Sequence, residues 1–132
     1  MRILIDTNCY SEIDEGDPET INRVQSATEV WVPLIVLGEL YAGFELGTQR
    51  ERNERQLEDF LNRPSVGVLF PDGETARHYG RVFQQLRRQG TPIPTNDIWI
   101  AALALQHDLI LDSSDKHFMY VPGLVLLRRR MV

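Results

Sequence analysis

The chain has 132 residues, 42% of them hydrophobic and 25% charged, with a formal net charge of −5. This is one domain's worth of sequence with enough apolar material for a core, which excludes a disordered acidic tail and a fibrous repeat. One cysteine, Cys9, excludes an intramolecular disulfide and a cysteine-rich zinc site, while the absence of a long apolar run or a signal-peptide pattern makes a cytoplasmic location the expectation.

Taken in chain order, Ile3-Leu4-Ile5 is a short apolar run ending at Asp6 and reads as a strand buried on both faces. A short helix around Cys9 to Ile13 follows, then a break at Gly16-Asp17-Pro18. Pro18 suits the first turn of a helix capped by Asp17 and running to about Ala27. Val30-Trp31-Val32 is the second strand. From Leu34 to Leu46, Leu37, Leu40, Tyr41 and Phe44 recur at helical spacing, with Glu39 off that stripe beside Ile35, Val36, Ala42 and Gly43. The charged stretch from Thr48 to Asn62 predicts a solvated helix capped by Thr48.

Val66 to Phe70 is the third strand, and Asp72 caps a helix with Ala76, Tyr79, Phe83 and Leu86 on one side, ended by Gly90. The prolines of Thr91-Pro92-Ile93-Pro94 stiffen a connector. Asp97 to Leu105 is apolar nearly all round and predicts a buried helix, with Trp99 and the earlier Trp31 in the core. Leu109-Ile110-Leu111 is the fourth strand. After the turn-rich Asp112-Ser113-Ser114-Asp115, a last strand is expected at Leu124 to Leu127, with Arg128-Arg129-Arg130 as an exposed tail. Strands alternating with helices predict a single α/β domain over residues 1–132, with a central, mostly parallel sheet of about five strands covered on both faces.

Parallel sheets bind ligands at the carboxyl ends of their strands. Asp6 ends the first strand, Glu39 sits on the helix after the second, Asp97 opens the buried helix, and Asp115 follows the fourth strand. Four neighbouring carboxylates repel one another's charge, a conflict that a hard divalent cation removes. Such an ion activates water and screens a phosphodiester, so this pattern points to phosphodiester hydrolysis. Each acid alone also has a plainer reading: Asp6 as a helix cap, Asp97 as a first-turn acid, Glu39 as a surface residue and Asp115 as a turn residue, with Asp112 or Asp108 as substitutes for the fourth position. The basic residues are thirteen arginines and Lys116. Arginine forks suit phosphate, so the negative net charge does not exclude a polyanion. Arg77 and Arg81, with Arg87 and Arg88, lie on the polar side of the Asp72 helix and are candidate contacts to nucleic-acid phosphates, their default reading being a solvated face. His117 has two readings, a phosphate contact or an aid to positioning Asp115; His78 and His107 read as solvated and Cys9 as a small buried residue.

Ile3-Leu4-Ile5-Asp6-Thr7-Asn8 resembles the opening of PIN-domain ribonucleases. Val36-Leu37-Gly38-Glu39-Leu40 with Gly43, Asn96-Asp97-Ile98-Trp99-Ile100-Ala101-Ala102, and Ser113-Ser114-Asp115-Lys116-His117-Phe118 with Val121-Pro122-Gly123-Leu124 resemble that family's later blocks, in order along the chain. The resemblance is nearest to the VapC toxins of toxin–antitoxin modules. It implies a PIN-like nuclease domain and a Mg²⁺- or Mn²⁺-dependent endoribonuclease acting on tRNA or another structured RNA. It further implies inhibition by a VapB-type antitoxin and assembly as a homodimer or toxin–antitoxin hetero-oligomer. It assigns metal binding and catalysis to Asp6, Glu39, Asp97 and Asp115, with Thr7, Asn8 and Ser113 supporting them. Asp112 stands where the family more often has an apolar or small residue, and bulky Trp99 where smaller ones are common. The rival reading is a PIN fold that binds RNA or a partner without cutting.

Overall fold

A computed structural model describes residues 1–128. Four strands, β1 (Arg2–Ile5), β2 (Glu29–Pro33), β3 (Val66–Leu69) and β4 (Ile110–Asp112), form one sheet in the order β3-β2-β1-β4. All three pairings are parallel. Between β1 and β2 come α1 (Thr7–Asp14) and α2 (Pro18–Ser26); between β2 and β3 come α3 (Leu34–Leu46) and α4 (Arg50–Leu61). Between β3 and β4 come α5 (Gly73–Gln89) and α6 (Thr95–His107), and a 3-10 helix, Lys116–Tyr120, follows β4.

The strand order runs outward from β1 to β2 to β3 and then jumps back past β1 to β4. Right-handed crossovers therefore carry the helices before β3 over one face and those after it over the other. Accordingly α1 packs with α2 and α3, and α3 with α4, while α5 packs on α6. The two layers meet where α3 touches α6, beside the switch point between β1 and β4 where parallel sheets open a crevice.

The sequence explains the centre of this arrangement. Ile3, Leu4 and Ile5 are wholly buried because β1 has a strand on either side and helices above and below. Each such side chain contributes about 2 kcal/mol of burial. In α6, Ile98, Ile100, Ala101, Ala102, Leu103 and Ala104 are all buried, so the apolar-all-round pattern reports its position correctly. Asp72 caps α5 through Thr75 in a capping box, and Gly90 closes it at φ +73°, a left-handed conformation suited to glycine. Gly67 faces Trp31 across the β2–β3 pairing, and a Cβ there would come within 2.8 Å of the indole. A ring laid over the strand thus requires glycine at that position.

Several local expectations change. The strand expected at Leu124–Leu127 reduces to one parallel bridge, Leu111 to Leu126, beyond the four-stranded sheet. Thr48 does not cap α4; Gln49 occupies the cap position without a side-chain hydrogen bond. The inward stripe of α5 is Thr75, Val82 and Leu86, with Tyr79 half-buried, whereas Ala76 and Phe83 face outward. The polar Thr75 belongs inside because its hydroxyl accepts the Asp72 amide and donates to Gln106 Oε1. Trp99 is only half-buried and lies against Tyr79, ring centroids 4.4 Å apart, and Trp31 is half-buried with its indole N–H donating to Glu29. His107, read as solvated, has its Nε2 buried without a partner. Arg128 is no exposed tail, as the site below shows, while Arg129 and Arg130 lie outside the described residues.

Candidate active site

Register brings the first two functional positions together. Ile5 pairs with Asp112 across β1 and β4, so the next residues, Asp6 and Ser113, emerge side by side. The Ser113 hydroxyl donates to Asp6 Oδ2, while the Cys9 amide donates to Oδ1 at 2.8 Å. Asp6 is therefore the helix cap of α1 and a wall of the cleft at once. It is 4% exposed, and burial pushes its carboxyl up to about 6, against the opposing hydrogen bonds from Ser113 and Cys9. The same Ser113 oxygen accepts the Asp115 amide at 3.0 Å, which ties the two acids to one side chain.

The other acids arrive on helices. Asp97 lies in the first turn of α6, directly after the proline connector, half-buried and with its carboxyl raised by burial. Glu39 lies on α3, where the Thr7 hydroxyl donates to its Oε1 at 2.7 Å. The glycines beside it are not demanded by internal packing, since a Cβ on Gly38 or Gly43 would meet nothing within 4 Å. That face of α3 is open.

Asp6, Glu39, Asp97 and Asp115 all line one cleft of about 430 Å³, with Thr7, Asn8 and His117 on its walls. His117 Nδ1 is 3.1 Å from Asp97 Oδ2 and 3.3 Å from Asp115 Oδ1, and its backbone amide donates to that same Asp115 oxygen at 2.9 Å. No lysine or arginine is among the described residues that line the cleft. Carboxylates gathered without an internal counter-ion suit a divalent cation: they are hard oxygen donors, and each ionised group keeps lone pairs beyond those it uses in protein hydrogen bonds.

Two sequence expectations fall elsewhere in the molecule. Asp112, the substitute for the fourth acid, is wholly buried but points away from the cleft. Successive strand residues face opposite ways, so it turns toward α2 and the chain end. There Arg23 Nε donates to it at 3.2 Å and Arg128 Nε at 2.6 Å. Arg128 also grips Glu12 with both terminal nitrogens, at 2.8 and 3.1 Å. This four-residue network was not read from the sequence, although a lone acid ending a buried strand is itself a signal that a partner is needed. Arg77 pairs with exposed Glu74 in the first turns of α5, and neither it nor Arg81 lines the cleft. The start of α5 meets the end of α6 at the Asp72–Gln106 contact of 2.8 Å, about two and a half helical turns of α6 from Asp97.

A model of the PIN domain matches residues 3–124. The chain belongs to the PIN-domain family. Among relatives of this PIN domain, ribonuclease VapC2 of Haemophilus influenzae is 36% identical over 117 residues, covering 87% of each chain. The tRNA(fMet)-specific endonuclease VapC of Salmonella typhimurium is 29% identical over 127 residues, covering 94% of this chain and 95% of that one. A crystal structure of DNA-bound VapBC from Salmonella typhimurium contains a chain of similar fold, with a TM-score of 0.86, 29% identity and 96% of each chain covered. This PIN domain is of the VapC type. PIN nucleases are generally divalent-metal dependent, and the acidic cleft agrees with that requirement. No helix of the described residues is long and apolar enough to cross a membrane.

Proposed function

We propose that the chain is the toxin of a VapBC-type toxin–antitoxin pair, a cytoplasmic endoribonuclease that cuts RNA phosphodiesters with Mg²⁺ or Mn²⁺. Its substrate is tRNA or another structured RNA, and a VapB-type antitoxin holds it inactive in a hetero-oligomer. The observation that carries the reading is the convergence of four carboxylates, from the end of β1, α3, α6 and the turn after β4, on one cleft lined by no lysine or arginine among the described residues.

In this reading Asp6, Glu39, Asp97 and Asp115 hold the metal. When bound, the ion supplies a water acidified toward hydroxide and a positive charge against the scissile phosphate. The protein's part is to fix its oxygens beforehand. Ser113 holds Asp6 and, through the Asp115 amide, the turn beyond β4. Thr7 fixes the Glu39 carboxylate by one donated hydrogen bond. Asn8 stands exposed at the rim, with an amide that can donate to a phosphate oxygen. Preorganisation of this kind avoids rearranging the acids during the reaction.

The test is cleavage of tRNA and of bulk RNA by the purified chain, with Mg²⁺, with Mn²⁺ and with EDTA, alongside Asp6→Asn. Metal-dependent cutting that EDTA and the substitution both abolish supports the proposal. Tight RNA binding with no cutting in either metal overturns it in favour of a non-catalytic PIN fold.

A further inference from the structure

His117 is the one member of the cleft that an all-carboxylate metal site does not explain. It belongs to the 3-10 helix after β4, whose next residue, Phe118, is buried and anchors the segment. Its backbone amide is tied to Asp115 Oδ1. Both constraints direct the imidazole inward, where one ligand atom from each of Asp97, Asp115 and His117 lies within 4.8 Å of the others. The Nδ1 separations from the two carboxylates are 3.1 and 3.3 Å. Adjacent donors on an octahedral ion with bonds of about 2.1 Å stand roughly 3 Å apart, so the imidazole nitrogen already stands at ligand spacing from both carboxylates.

We propose that His117 is itself a metal ligand, giving Nδ1 as a nitrogen donor beside the Asp97 and Asp115 carboxylates, and that this donor tilts the site toward Mn²⁺ and other first-row transition ions over Mg²⁺. The inference rests on the metal-site reading above and adds to it a ligand of a different chemical class. Mg²⁺ gains little from imidazole, whereas transition ions bind it well. The other nitrogen-bearing side chains along the cleft are the amides Asn8 and Asn96, which bind metals through oxygen. His78 lies in α5 and His107 at the end of α6, neither of them on the cleft wall.

The experiment uses the purified full chain with Mn²⁺ alone and pulsed electron paramagnetic resonance, which detects nitrogen directly bonded to manganese. The expected result is a nitrogen coupling in the wild type that changes isotope pattern when histidine is ¹⁵N-labelled and vanishes in His117→Asp. That substitution puts a carboxylate oxygen on the same γ-carbon that carries Nδ1, so it keeps a donor in place and changes only its class. In competition, the excess of Mg²⁺ needed to displace Mn²⁺ should fall at least about tenfold in His117→Asp, the scale on which even the outer partners of a metal site count. Mn²⁺ bound without nitrogen coupling, or a coupling that survives in His117→Asp, overturns the role of His117 and leaves the carboxylate site standing. Failure of the wild type to bind Mn²⁺ at all brings down both readings.

Discussion

Asp112 and Glu12 on one side of β4 and the acids of the cleft on the other are handled in opposite ways. Asp112 is wholly buried and takes one guanidinium nitrogen from Arg23 and another from Arg128, which also spans to Glu12. Its charges are answered within the chain, so the group acts as a clasp that pins the segment after β4 onto α1 and α2. Asp6, Glu39, Asp97 and Asp115 receive hydrogen bonds from Ser113, Cys9, Thr7 and the His117 amide, but no arginine or lysine among the residues that line the cleft. Their charge is left for something outside the protein to answer. One residue step along the chain, from Asp112 to Ser113, separates the two regimes, because consecutive strand residues leave the sheet on opposite faces.

The sharpest way to break this contrast is to neutralise one acid on each side. Asp115→Asn should lower single-turnover RNA cleavage by about a thousandfold, near 4 kcal/mol of lost transition-state stabilisation, with little change in melting temperature. Asp112→Asn should show the reverse pattern: cleavage per folded molecule near wild type, and a lower melting temperature. If Asp112→Asn is the more damaging to cleavage, the clasp belongs to the catalytic site.

Removing the basic partner tests the clasp directly. Arg128→Ala leaves Asp112 buried with half its counter-charge, and denaturant unfolding should show a loss of about 3 kcal/mol. Adding Asp112→Asn to it should return part of that loss, since the orphaned charge is then gone. A loss below about 1 kcal/mol would class the pair with surface ion pairs and dissolve the contrast.

The cleft should respond to pH in the direction opposite to a paired acid. Asp6 titrates near 6 in the fold and near 3.8 as a free side chain, so below 3.8 it is protonated in both states. As pH rises from there through 6, the unfolded chain loses its proton first and the metal-free fold loses stability, up to about 3 kcal/mol by neutral pH. Urea unfolding in EDTA should therefore show Asp6→Asn gaining on the wild type between pH 4 and 7, and Mn²⁺ should cancel that gain. A flat difference across this range would mean that Asp6 carries no penalty for its charge. The smallest expected effect is at Thr7: Thr7→Val removes the hydrogen bond to Glu39, worth about 1 kcal/mol, and should slow cleavage about fivefold. An unchanged rate would mean that Glu39 needs no holding.

Much of this was legible in the residues. The apolar run Ile3–Ile5, the all-round apolar pattern of α6 and the punctuation by Asp17-Pro18, Asp72 and Gly90 are local signals, and each marks an element where it occurs. Asp6, Asp97 and Asp115 stand out because each follows a strand or opens a helix, the positions that a parallel sheet gathers at one edge, whereas Glu39 lies inside α3 and is marked only by its small neighbours. What adjoins them there is a matter of register and packing. Nothing local to Asp112 tells that Arg23 and Arg128 close on it from 89 and 16 residues away. Nothing local to His117 tells that its ring turns into the acids instead of outward to solvent. Strand order, the alternation of faces at the end of β4 and the anchoring of Phe118 decide both. Sequence periodicity fixes which residues are buried in an element, whereas the partner of a buried charge is fixed only when distant elements close around it, because an ion pair is a relation across space and leaves no period along the chain.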